Sequence, residues 1–134
     1  MHPGANHISA GAIQDLLRTV NKDHFGKAMV ERGLMRYAGH YMEGKEKVNI
    51  YRMVDDVDMF SEEDAREKIA ADPYVRACYV LIAPQFFINI GKARSYFEAS
   101  LMTMEELEYI TGQTKKELND ELINIFLPYT NIIN

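Results

Sequence analysis

Asp23-His24-Phe25-Gly26-Lys27-Ala28-Met29-Val30-Glu31-Arg32-Gly33 is the stretch on which the reading of this 134-residue chain turns. Phe25, Ala28 and Met29 recur at helical spacing and share a face, while Lys27 and Glu31 point away from it. Asp23 is placed to cap a helix beginning at His24, and Gly33 stands where a helix ends on a glycine. Beyond Gly33 the helical period is lost. Tyr37, Tyr41, Val48, Ile50, Tyr51 and Val54 favour strands, and Glu43-Gly44-Lys45-Glu46 is a turn candidate between them. Val48, Ile50, Arg52 and Val54 alternate against Lys47, Asn49, Tyr51 and Met53, as residues of a half-buried hairpin strand do.

Upstream, Ser9 is an N-cap candidate for a first helix whose stripe is Ile13, Leu16, Leu17 and Val20. The order is therefore helix, helix, antiparallel hairpin. Downstream, Asp55-Asp56-Val57-Asp58 closes that unit with an acidic, non-periodic stretch. Ser61-Glu62-Glu63-Asp64 resembles a capping box for a helix to about Ala71, which Asp72-Pro73 stops. Tyr74 to Ile82 is so apolar that periodicity leaves strand and buried helix both open. Pro84 is expected to break that run, with Phe86 to Ile90 as a second apolar segment. Three more helices are expected: Gly91 to Leu101, one capped by Thr103 and closed by Gly112, and one capped by Thr114.

Composition bounds the function classes. The 47% hydrophobic and 26% charged content belongs to a globular protein. Net charge is −5, but it is unevenly spread. Residues 1–54 carry eight Lys/Arg against five acids, whereas residues 55–134 carry seven against fifteen. That split points to two differently employed halves. One cysteine, Cys78, excludes an intramolecular disulfide and fits a reducing compartment. The first residues read as no signal peptide, and the longest apolar-rich run, Ala77 to Ile90, is too short and polar to span a bilayer. A soluble, cytoplasmic protein without membrane contact is expected.

The segment from Asp23 to Gly33, followed by Arg36, His40, Gly44-Lys45, Lys47 and Ile50-Tyr51-Arg52, resembles the winged helix near the C-terminus of phage and plasmid primase–helicases. Those modules also place a Phe-Gly-x-x-Met/Leu-x-x-x-Gly helix before a basic hairpin ending in an apolar-Tyr-Arg strand. The resemblance covers about residues 9–54, where one helix rather than the usual two precedes the candidate reading helix. It implies a winged-helix-like half (1–57); the helices read downstream make 58–134 a mainly helical half packed with it, an α+β fold with room for one shared core. The residues agree with that function on their own chemistry. A short helix fits the major groove of duplex DNA, and a basic hairpin beside it can lie along phosphates. Lys22, His24 and Lys27 are the candidates for the groove, and Arg36, Lys45 and Lys47 for the wing.

Other constellations carry less. Thr103 to Leu122 has the spacing of a second helix–turn–helix, but Glu117, Asp120 and Glu121 beside Lys115 and Lys116 would repel phosphate. Packing or self-association suits it better. The stripe Leu118, Leu122, Ile125 and Phe126 exceeds what a helix capping a small core needs, so a homodimer or protein contact is expected there. The histidines (His2, His7, His24, His40) match no metal-ligand spacing, the Asp55, Asp56, Asp58 cluster lacks a calcium-loop pattern, and Cys78 sits in an apolar run as a packing residue. No phosphate loop or nucleophile elbow is found, so neither enzyme activity nor a cofactor is expected. Two functions remain: a DNA-binding accessory or regulatory protein, and an inhibitor or adaptor, of the kind phages and mobile elements encode, that binds a protein through its acidic half.

Overall fold

The computed structural model describes residues 12–54 and 63–130. Ser9, His2, His7, the acidic stretch from Asp55 and the Ser61-Glu62 part of the expected capping box lie outside the described residues. The described chain is an α+β fold, mostly helical, with one antiparallel hairpin. Two helices, α1 (Ala12–Leu17) and α2 (Lys22–Glu31), lead into strands β1 (Met35–Glu43) and β2 (Glu46–Met53). Four helices follow: α3 (Glu63–Ala71), α4 (Pro73–Asn89), α5 (Tyr96–Thr111) and α6 (Lys115–Phe126), the last continuing into a 3-10 turn at Leu127–Tyr129.

The apolar run that periodicity left open is helix. α4 starts because Asp72 Oδ1 accepts from Tyr74 N at 2.8 Å and Pro73, at the first turn, has no N–H to leave unpaired. Every residue from Val75 to Val80 is buried, so the helix is covered on all sides by α3, α5 and α6. Pro84 does not break it; the helix runs on to Asn89. A proline inside a helix costs roughly 3 kcal/mol. Burial of Pro84 between buried Ala83 and Phe87 is what offsets it.

The two helices expected from Gly91 to Ile110 are one. Gly91 (φ +78°) ends α4, and Ser95 caps α5 by accepting from Glu98 N. Thr103 caps nothing: it is buried mid-helix, with its hydroxyl donating to Ala99 O at 2.8 Å. Gly112 (φ +74°) does close α5. Thr114 caps α6 in a full capping box with Glu117, whose carboxyl those backbone and side-chain bonds hold below its ordinary value.

One buried cluster runs through both halves, from Ile13 and Phe25 to Leu118 and Phe126. The chain end returns to its beginning: Val20 bridges Thr130, and Asn21 N donates to Tyr129 O at 2.7 Å. Arg76 ties the helical half together. Its Nε and Nη2 donate to the two oxygens of Glu121 at 2.8 and 2.7 Å, and Nη1 donates to the carbonyls of Ile69 and Ala70. One side chain on α4 thus pairs with α6 and satisfies free carbonyls at the end of α3.

The expectation of a subunit contact on α6 is corrected by this packing. Leu118, Leu122 and Phe126 are fully buried in the chain's own core and Ile125 is half-buried, because α6 lies against α1, α4 and α5 together. The stripe is wide because three helices cover it.

Candidate nucleic-acid interface

Helix α2 is capped by Asn21, not by Asp23: the Asn21 amide oxygen accepts from His24 N at 2.9 Å. That leaves the Asp23 carboxylate free for the hairpin. Its Oδ1 accepts from Asn49 Nδ2 at 2.7 Å and from the Tyr51 hydroxyl at 2.8 Å, and its Oδ2 lies 3.3 Å from Lys27 Nζ. Hydrogen bonds from Asn49 and Tyr51, with help from Lys27, hold the Asp23 carboxyl below the usual range. Burial, then the bond to Asp23, pushes the Tyr51 phenol up to about 12. Below this clamp the Tyr51 ring covers Gly26, where a Cβ would stand 2.5 Å from ring carbon Cδ2. Phe25 and Met29 meanwhile face the core, so α2 is covered on two sides.

The hairpin turns at Gly44-Lys45. Gly44 has φ +64° and Lys45 is not among the residues with positive φ, the pattern of a two-residue turn whose first position demands glycine. Asn49, Tyr51 and Met53 form the face toward α2 and the core, while Arg52 and Val54 are exposed. A bulge interrupts β1 between Tyr37 and His40, with Gly39 at φ +109°. In a regular strand residues three apart point to opposite faces. The bulge brings Tyr37 and His40 to one face, where Tyr37 Oη and His40 Nδ1 share a hydrogen bond at 3.2 Å. Tyr37 also meets Tyr51 edge-on at 5.9 Å.

The candidate residues are distributed as follows. Lys22 is exposed at the start of α2, and His24, Lys27 and Glu31 form its exposed stripe. His24 is steadied by an edge-on contact with Tyr129 at 5.1 Å. Lys45 is in the turn, and Lys47, opposite Met42, is on the α2-facing side. Arg36 is different: paired across from Arg52, it is on the opposite face of the ribbon. Five of the six candidates thus belong to α2, the turn and the α2-facing strand face, and Arg36 does not. Sequence reasoning left Tyr37 and His40 out of the site, and the signal was Gly39, since a glycine inside a strand pattern marks a bulge.

Among the described residues no acid pairs with Lys22, Lys45 or Lys47. Arg32 is engaged elsewhere, its guanidinium 3.6 Å above the Tyr74 ring. No group of three or more His, Cys, Asp or Glu placed to hold a metal is found among the described residues, and none of the described helices is long and apolar enough to cross a membrane. Comparison with known protein families, with curated proteins and with solved structures gives no match.

Proposed function

We propose that this chain is a small non-enzymatic DNA-binding accessory or regulatory protein, whose N-terminal half works as a winged helix. α2 is the groove helix and the hairpin is its wing. The observation that carries this reading is the Asp23–Asn49–Tyr51 clamp, which fixes the hairpin to α2 as one rigid unit. Lys22, Lys27, Lys45 and Lys47 are exposed on that unit, three of them without an acid partner among the described residues. Clustered cations on a rigid surface release counterions from a duplex, and a preorganised surface loses little entropy in doing so. Tyr37 and His40 add polar and aromatic contacts on the same strand face.

Titrating a labelled random-sequence duplex at several salt concentrations tests the proposal. Four phosphate contacts correspond to a slope of about −3 to −4 in log K against log salt. A protein that does not bind at low salt, or whose binding ignores salt, contradicts it. A second reading, an inhibitor or adaptor of the phage or mobile-element kind, draws on one observation. Tyr109 is 84% exposed on α5, one turn from exposed Glu105, and an uncovered aromatic on an acidic helix suits a protein partner. Failure of the duplex titration moves the function to that surface.

A further inference from the structure

The hairpin carries two pairings that a stable ribbon avoids. Glu43 stands directly opposite Glu46, and Arg36 directly opposite Arg52. Like charges at directly opposed positions destabilise a ribbon. Among the described residues neither Glu46 nor Arg52 has an ion-pair partner. Both are exposed on the same face of β2.

Among the described residues the outer edge of β2 is also unpaired. Val54 N donates to Leu34 O at 3.1 Å, so Leu34 and Val54 are a hydrogen-bonded pair, and every second residue of β2 from there turns its backbone groups toward β1. The two-residue turn gives the same parity from the other end, because the Glu43–Glu46 pair flanking it is the hydrogen-bonded one. The backbone N–H and C=O groups of Lys47, Asn49, Tyr51 and Met53 therefore point outward, and none of them bonds to another segment among the described residues. On β1 the bulge at Gly39 blunts the edge; on β2 nothing comparable does.

We propose that a second copy of this chain docks along β2, antiparallel and in register about Asn49, so that Glu46 of each copy faces Arg52 of the other. The ribbons become a four-stranded sheet in the order β1-β2-β2-β1. Symmetric pairing about Asn49 sets Val48 against Ile50 of the second copy, and Lys47 against Tyr51. Registers centred on Val48 or Ile50 instead set Glu46 against Ile50, or Arg52 against Val48, with no charge matched. The chosen register alone sets Glu46 and Arg52 of each copy against an opposite charge of the other.

Sedimentation equilibrium without nucleic acid is the test. The wild type is expected to show a reversible shift from 15.4 kDa toward twice that mass across the micromolar range. Glu46→Arg and Arg52→Glu, each alone, place like charges across the seam twice and weaken association by about tenfold or more. The equimolar mixture of the two, and the double variant Glu46→Arg/Arg52→Glu, restore opposite charges and recover the dimer. If a single variant fails to fold, Lys47→Pro removes an outward N–H and no bond of the hairpin itself, and is expected to be monomeric. A monomeric wild type, single variants as dimeric as the wild type, a mixture that stays monomeric, or a dimeric Lys47→Pro overturns the proposal.

Discussion

The ring of Tyr51 occupies the space that a side chain at position 26 would need, and its hydroxyl reaches past Gly26 to Asp23 one turn earlier on α2. This contact joins the hairpin to the helix and gives the Phe25-Gly26 pair and the Ile50-Tyr51-Arg52 strand a shared physical reason.

Gly26→Ala should therefore destabilise the protein although alanine is the better helix former. The propensity gain is about 0.8–1 kcal/mol, whereas overpacking against a ring fixed at its far end costs about 1–3 kcal/mol. A net loss of up to about 2 kcal/mol is expected in urea unfolding. In a Tyr51→Ala background the obstacle is gone and the same substitution should become stabilising. A loss of equal size in both backgrounds would mean that the ring is not what Gly26 accommodates.

The clamp also sets a pH dependence. The Asp23 pKa is lowered in the fold from 3.8, so its contribution is present above that value and lost as pH falls through the lower folded one. Tyr51 is raised from 10 to about 12, so its contribution is complete below pH 10 and lost between pH 10 and about 12. Asp23→Asn should lower the melting temperature at pH 6 and have much less effect near pH 2. Tyr51→Phe should remove a tyrosinate absorbance step near pH 12. An Asp23→Asn penalty as large at pH 2 as at pH 6 would show that its charge is not what the hairpin uses.

Local chemistry was readable from the chain, and long-range packing was not. Gly33, Gly112, the Thr114 cap and the Asp72-Pro73 boundary each depend on neighbours within a few residues, and each is found where the pattern put it. Asn21 took the capping role because Asp23 is held by Asn49 and Tyr51, more than twenty residues away. Pro84 stayed within a helix, and Thr103 in mid-helix, because neighbouring helices bury both. In the candidate site the cation-bearing segment was legible, but the face of each strand residue was not. A single extra residue at Gly39 reassigns half of β1.

Arg76 and Glu121 offer a test of the helical half. Their side chains are 7% and 22% exposed, so removing one partner strands a charge in a poorly solvated place. Glu121→Gln should cost about 3 kcal/mol. Arg76→Met should cost more, because it also abandons the carbonyls of Ile69 and Ala70. Chemical unfolding checks the order, and an Arg76→Met protein as stable as Glu121→Gln would refute the carbonyl role.

Cys78 is fully enclosed, and burial pushes its thiol up to about 12. A thiol-specific disulfide reagent at neutral pH should label it only at the rate at which the protein opens. Labelling of the native protein as fast as a free peptide thiol would place Cys78 at the surface.

Whether the α2–hairpin unit is the nucleic-acid surface is decided most directly by paired charge reversals. Lys22, Lys27 and Lys47 are changed to Glu in one variant and Lys115 and Lys116 in another, with helix content checked by circular dichroism. Affinity for one random duplex is then measured at a fixed low salt. The first set should weaken binding by about a hundredfold or more, since each reversal removes a released counterion and adds a repulsion. The second set should leave it nearly unchanged, because Lys115 and Lys116 already pair with Glu108 and Asp120. Greater damage from the second set, or a wild-type protein that binds no duplex, would contradict the account.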